Sequence, residues 1–212
     1  MDWQTLPPLP DGAIDPPNRR RYGVIEPKVA SKFGYHTPPE SPSLRKRRSF
    51  EKKREKDLTP REIFAAYGRS GTGGCWGRAH SRLMRNARHY DLSLINRFSS
   101  AAYSKSQRDG TVVQAFHTWS GCMKQKGFHY SSPTQVFEDK RWEARHPSNH
   151  EINVAKADVR CQWHSDHVAI WARAEQRLQQ IMIKGKAKEF RYLKSAKEDW
   201  LESARRVLAN RR

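Results

Sequence analysis

GTVVQAFHTWSGCMKQK, residues 110–126, decides the fold. Val112, Phe116, Trp119 and Met123 recur at steps of four, three and four, which puts them on one face of an α-helix. Gly127 ends it. Towards the C-terminus, Ser148 to Glu151 has the spacing of a capping box. From there Ile152, Ala155, Val159, Trp163, Ile170, Ala174, Leu178 and Ile181 carry one apolar stripe to a stop at Gly185. A last helix sets Phe190, Leu193, Lys197, Leu201, Ala204 and Leu208 on one face. Its basic end, Arg205, Arg206, Arg211 and Arg212, suits the negative end of the helix dipole. These last two helices are expected to pair as an antiparallel hairpin.

Towards the N-terminus, Thr59-Pro60-Arg61-Glu62 is another capping box, with proline at the first helical position where its missing N–H is harmless. A short helix to about Tyr67 should follow, broken by Gly68 to Gly74. Residues 75–89 and 92–108 then read as helices with Leu83, Leu94, Ile95 and Phe98 turned inward. No segment alternates with period two, so the fold class is all-α: a helical bundle or hairpins behind an extended, proline-rich, basic N-terminal arm. The arm occupies 1–57 and the helical domain 58–212, with 58–109 as a first helical unit and 110–212 as a second that ends in the hairpin.

Within the arm, LPPLPDGAIDPP (6–17) and HTPPESPS (36–43) are built on proline, which fixes φ and removes donors. YGVIEPKVASKFGYH (22–36) between them has enough apolar side chains to dock. RKRRSFEKKREK (45–56) is a charge run, read as a solvated linker or helix extension, or as an anion-binding strip.

The chain has 212 residues, long enough for one ordinary domain or two small ones. It carries a formal charge of +19, only 36% hydrophobic residues and seven tryptophans, with a mean hydropathy of −0.97. Tryptophan at that density argues for a packed core, while the charge attracts phosphate polymers, anionic lipids or acidic wall polymers without choosing among them. No apolar run approaches the roughly 20 residues that span a bilayer. The first residues are proline-rich and do not read as an export signal.

Chemistry-bearing residues are few. Cys122 closes one amphipathic helix and Cys161 lies inside the next, so a bridge is reasonable if the helices pack side by side. That bridge implies an oxidising compartment, and the alternative is two reduced cysteines in a cytosolic core. Cys75, in GGCWGRAH, is then unpaired; His80 and His117 do not make a recognisable Cys–His signature with it. A repeat accounts for the odd count. MDWQTLPP (1–8) looks like the second half of GCMKQKGFHYSSP (121–133), aligning Met1 with Phe128 and Trp3 with Tyr130, and Cys75 corresponds to Cys161 in DVRCQWHS. On this reading the chain starts inside a domain, and the partner of Cys75 lies upstream of Met1.

GRSGTGGCWG (68–77) lacks the lysine and hydroxyl ending of a phosphate loop and reads as a helix-to-helix turn. His164-Ser165-Asp166-His167 is dense in metal-ligand types but lacks hydrolase spacing, and it reads as polar residues on an exposed face. No catalytic residue, metal ligand or cofactor is assigned. Arg19, Arg20, Arg21, Arg45, Lys46, Arg47 and Arg48 are the anion-binding candidates. Basic and aromatic residues interleave in NRRRY (18–22) and KEFRYLK (188–194), the pattern of a nucleic-acid contact.

YGVIEP, GYHTPP, the GGCW turn, NRF with SQRD, the string W-S-x-C-M-x-x-x-G-F-x-Y-x-x-P and A-D-V-x-C together resemble a group of uncharacterised actinobacterial secreted or lipoprotein-like proteins, from about Tyr22 to Leu208. An export signal and a further cysteine-bearing element typically precede this region in that group. The resemblance implies a cell-envelope location and cysteine pairing, and brings no activity. The expected role is a non-enzymatic exported or envelope-associated binding or structural protein. Its partner would be an anionic polymer, an anionic lipid or a protein. The alternative is an intracellular nucleic-acid-associated protein.

Overall fold

Helices account for all the regular structure in the described part of a computed structural model, which covers residues 20–69, 71, 73–85, 87–89 and 91–209. Ten α-helices and one 3-10 turn are found there. They are α1 (Pro27–Phe33), α2 (Pro42–Lys56), α3 (Pro60–Tyr67), α4 (Gly74–Met84), α5 (Ser93–Ser106), α6 (Gly110–Gln125), α7 (Pro133–Phe137), the 3-10 turn (Lys140–Trp142), α8 (Asn149–Ser165), α9 (His167–Gly185) and α10 (Ala187–Ala209). The fold is all-α. Much of the expected arm, and the repeat at 1–8, lie outside the described residues. In the described part of that arm two helices form: Pro27 starts α1 at the position where proline suits a helix, and the charge run becomes α2.

Two units make up the chain. Among the described residues, one comprises 44–97 and 182–209; the other holds 20–43 and 98–181. This division cuts the chain differently from the sequence boundaries, because α1 packs on α8 while α10 packs on α4.

In the first unit the Thr59 cap forms in full: Thr59 Oγ1 accepts from the Glu62 N–H at 3.3 Å, and the Thr59 N–H donates to Glu62 Oε2 at 2.9 Å. The glycine cluster is the α3–α4 turn. Gly74 has φ +64°, and a Cβ there would stand 2.5 Å from the Ala65 carbonyl oxygen, so the two helices meet only without a side chain at this point. Arg88 pairs with Asp199 of α10, and the Tyr192 hydroxyl donates to the His89 carbonyl. Ile95, expected inside, is 43% exposed. Lys186 alone separates α9 from α10, and its N–H bonds the Met182 carbonyl at 3.1 Å. Helical bonding therefore runs through the junction where the sequence suggests a reversing turn.

In the second unit α8 lies between α1 and α6. Val112, Ala115, Phe116, Trp119 and Met123 are the buried face of α6, as their spacing predicts. Gly127, at φ +82°, follows the end of that helix. The face α8 buries is a different matter. Glu151, Val154, Ala155, Asp158, Cys161, Gln162 and Ser165 point inward, whereas Trp163 is 69% exposed. Ile181, the end of the expected stripe, is 65% exposed. Ala155, Val159 and Ala174 of the expected stripe are buried beside these polar residues, so the stripe leaves the buried face at Trp163 and again at Ile181. The stripe is also broken: Asp166, the one non-glycine residue with positive φ among those described, adopts a left-handed conformation at φ 50° and separates α8 from α9.

Candidate functional site

α8 is held on its inward face by three kinds of bond. Cys161 is joined to Cys122 of α6, with Cα atoms 5.6 Å apart, inside the range that bridging requires. Asp158, fully buried, collects three donors: the Tyr35 hydroxyl at 3.0 Å, the Trp119 indole N–H at 2.9 Å and the Gln162 amide at 3.0 Å. Burial still raises its carboxyl to about 6. Gln162 also donates to the Val24 carbonyl at 2.9 Å, tying the segment before α1 to α8.

Glu151 is the third fastener, and here the expected capping box is only half made. Ser148 Oγ accepts from the Glu151 N–H at 3.1 Å. The Glu151 carboxylate turns away to accept from the Tyr35 N–H and the His36 Nδ1, each at 2.8 Å. The second His36 nitrogen faces the Ala144 carbonyl at 2.6 Å. Both partners can only accept, so both ring nitrogens carry hydrogen, and the imidazole is held above its ordinary value by the Ala144 carbonyl and Glu151.

With that face occupied, the other face of α8 is open. Lys156, Arg160 and Trp163, at helical steps of four and three, line a groove together with the buried Val159, and Pro27, Lys28 and Ser31 of α1 complete it. The groove holds about 370 Å³. Its lining is mainly apolar, and it includes the indole of Trp163 and the three cations Lys28, Lys156 and Arg160. None of these three cations pairs with a carboxylate among the described residues. The arrangement offers a flat aromatic face beside three positive charges, which suits an anion that carries a ring. Sequence reasoning missed this site because Trp163 was assigned to the core.

The anion-binding candidates fall elsewhere. Arg19 lies outside the described residues. Arg20 donates to the Tyr35 and His36 carbonyls, each at 2.8 Å, and so clamps the turn after α1. Arg21 is paired with the buried Glu175, bonds Ser99, and lies over the Tyr103 ring at 4.9 Å. The Tyr22 hydroxyl donates to the same carboxylate at 2.8 Å. Arg45, Lys46, Arg47 and Arg48 share α2 in the first unit, where Arg47 bonds Glu51 at 3.3 Å. Cys75 is exposed in the first turn of α4, with Arg78 Nη2 3.3 Å from its sulfur. It sits at a helix start, whereas its proposed counterpart Cys161 lies near a helix end.

His164-Ser165-Asp166-His167 does not converge on one point. His164 and Asp166 are exposed, and the left-handed turn sends His167 inward, against the expectation of a uniformly exposed cluster. Its Nδ1 lies 3.1 Å from Ser165 Oγ, while Ser165 donates to the Cys161 carbonyl at 2.8 Å. Nδ1 therefore carries the hydrogen and Nε2 is a bare acceptor, without a partner among the described residues. The rings of Phe116 and Trp119 meet His167 edge-on, and burial lowers its pKa to about 4.

Among the described residues no helix is long and apolar enough to cross a membrane. The structure thus defines an all-α, strongly basic protein with one cysteine pair at disulfide distance. Comparison with known protein families, curated proteins and solved structures finds no match.

Proposed function

We propose that the protein is exported or attached to the cell envelope and works there without catalysis, binding an anionic partner through its basic surface. The observation that carries this reading is the Cys122–Cys161 pair, which joins α6 to α8 at disulfide distance. Such bonds persist in oxidising compartments and are rare in the cytosol. The resemblance to actinobacterial secreted and lipoprotein-like proteins points the same way. The excess charge of +19 favours an anionic polymer, an anionic lipid or an acidic protein surface.

Association with nucleic acid inside the cell is the second reading, favoured by an exposed indole beside three cations. Intact mass after alkylation, with and without reductant, separates the two in protein recovered from its native host. One free thiol before reduction and three after, in envelope or extracellular fractions, is the result expected. Three alkylated cysteines in folded protein without reductant would overturn the envelope reading.

A further inference from the structure

We infer that the groove between α1 and α8 is a subsite for an anionic glycan, with Trp163 as the platform for one sugar ring and Lys28, Lys156 and Arg160 as the contacts for its acidic groups. This inference rests on the envelope reading and gives it a ligand class. Trp163 is 69% exposed on a helix whose inward face is fully engaged, so its indole is not held in reserve for packing. An indole has an apolar face of the size and flatness of a sugar ring, and burying it against ring C–H groups removes apolar surface from water. Pro27 adds a further apolar residue to the lining.

Charge complementarity sets the rest of the ligand. The cations come from the two helices that line the groove with the indole, so a ring seated on Trp163 shares the groove with three positive charges. A neutral sugar would leave three charges unused, and a flexible chain of phosphates would leave the indole unused. Single-stranded nucleic acid normally meets a series of aromatic platforms along a basic track, because successive bases each stack. Trp163 is the one aromatic residue lining this groove. A single ring site flanked by cations fits a chain whose sugar rings themselves carry carboxylates or phosphates.

Isothermal titration of the full-length, oxidised protein with an oligogalacturonate tests the assignment. Controls are a neutral maltooligosaccharide, polyphosphate and oligothymidylate. The wild type should bind the oligogalacturonate and not the neutral chain. Trp163→Ala should weaken that binding about tenfold or more, as removal of a central aromatic anchor does. Lys156→Gln/Arg160→Gln should weaken it and flatten its salt dependence. Trp76→Ala, which removes an exposed indole of the first unit, should leave it unchanged.

Unaltered affinity in Trp163→Ala would overturn the assignment. So would oligothymidylate binding more tightly with the same dependence on Trp163, which would make the occupant a nucleic acid. The indole N–H resonance of Trp163, assigned by its loss in Trp163→Phe, gives a readout in folded wild type. It should move on addition of the oligogalacturonate, and a resonance that stays still counts against the site. Failure of the envelope reading shows separately, in the thiol count. Three free thiols with intact glycan binding would sink the location and leave the site standing.

Discussion

His167 and Asp158 should drive stability in opposite directions over the same pH interval, so that each conceals the other. His167 is neutral when folded because burial holds its pKa to about 4, against an ordinary value of 6.5. A depressed histidine contributes stability above the unfolded value and loses it as pH falls towards the folded one. The difference converts to about 3 kcal/mol lost between about pH 6.5 and 4. Asp158 is raised from 3.8 to about 6. A raised carboxyl destabilises at neutral pH and is relieved as pH falls below its folded value, returning about 3 kcal/mol between about pH 6 and 4. His36, already protonated at the lower end, contributes nothing further as pH falls there. The wild type should therefore be nearly flat from about pH 6.5 to 4 in urea unfolding followed by circular dichroism. Asp158→Asn, which keeps one acceptor oxygen and puts an amide in place of the other, should expose the histidine and lose about 3 kcal/mol as pH falls across that interval. His167→Gln should show the reverse, gaining stability on acidification. If Asp158→Asn stays as flat as the wild type, His167 is not a buried neutral imidazole and the argument fails.

Three other substitutions probe different parts of the fold. Replacing Cys122 and Cys161 by alanine opens a loop closed over a separation of 39 residues, which should lower unfolding free energy by about 4 kcal/mol. A loss below about 1 kcal/mol, measured against oxidised wild type in urea, would show that the bond contributes little constraint. Gly74→Ala forces both a positive φ and a clash with the Ala65 carbonyl, so it should cost well over the roughly 1 kcal/mol expected of Gly71→Ala, whose Cβ meets open space. Equal thermal shifts for the two variants would remove the close α3–α4 approach as the cause. Glu175→Ala leaves Arg21 and Tyr22 without their shared acceptor and should destabilise by about 3 kcal/mol, with Glu175→Gln milder; indistinguishable melting of Glu175→Ala and wild type would contradict a buried pair.

Helix existence was readable wherever apolar residues carried the inward face. The steps of four, three and four in α6 survive as Val112, Phe116, Trp119 and Met123. The cysteine pair was reachable too, because neighbouring amphipathic helices bring Cys122 and Cys161 within bonding distance. α8 was misread for a physical reason. Hydropathy counts Glu151, Asp158 and Gln162 as solvent-seeking, yet each finds partners in the interior and is buried there, and the partners come from residues 24–36 and 119, far off in sequence. Trp163 was drawn into the core by the same arithmetic, and with it the groove. A local signal for α1 did exist, since Pro27 can open a helix, but the neighbouring prolines outweighed it. The break at Asp166 was also foreshadowed, aspartate being among the few residues that tolerate a left-handed backbone.

The buried polar face of α8 also bears on how the groove works. Glu151, Asp158 and Cys161 anchor α8 over nearly three turns, to the segment after α1 and to α6 in turn, and all of these anchors act from one side of the helix. A helix pinned on one face offers the other as a rigid surface, so Lys156, Arg160 and Trp163 keep their register without being packed themselves. Lys28 joins them because α1 is bound to α8 through the same network, by way of Gln162 and Tyr35 on either side of α1. A ligand seated there orders long side chains but no backbone, which reduces the entropy it must overcome. Loosening the network, by Glu151→Gln for instance, should therefore weaken glycan binding without touching any residue of the groove, and an unchanged affinity in a measurably destabilised Glu151→Gln protein would break the link between the buried polar face and the open one.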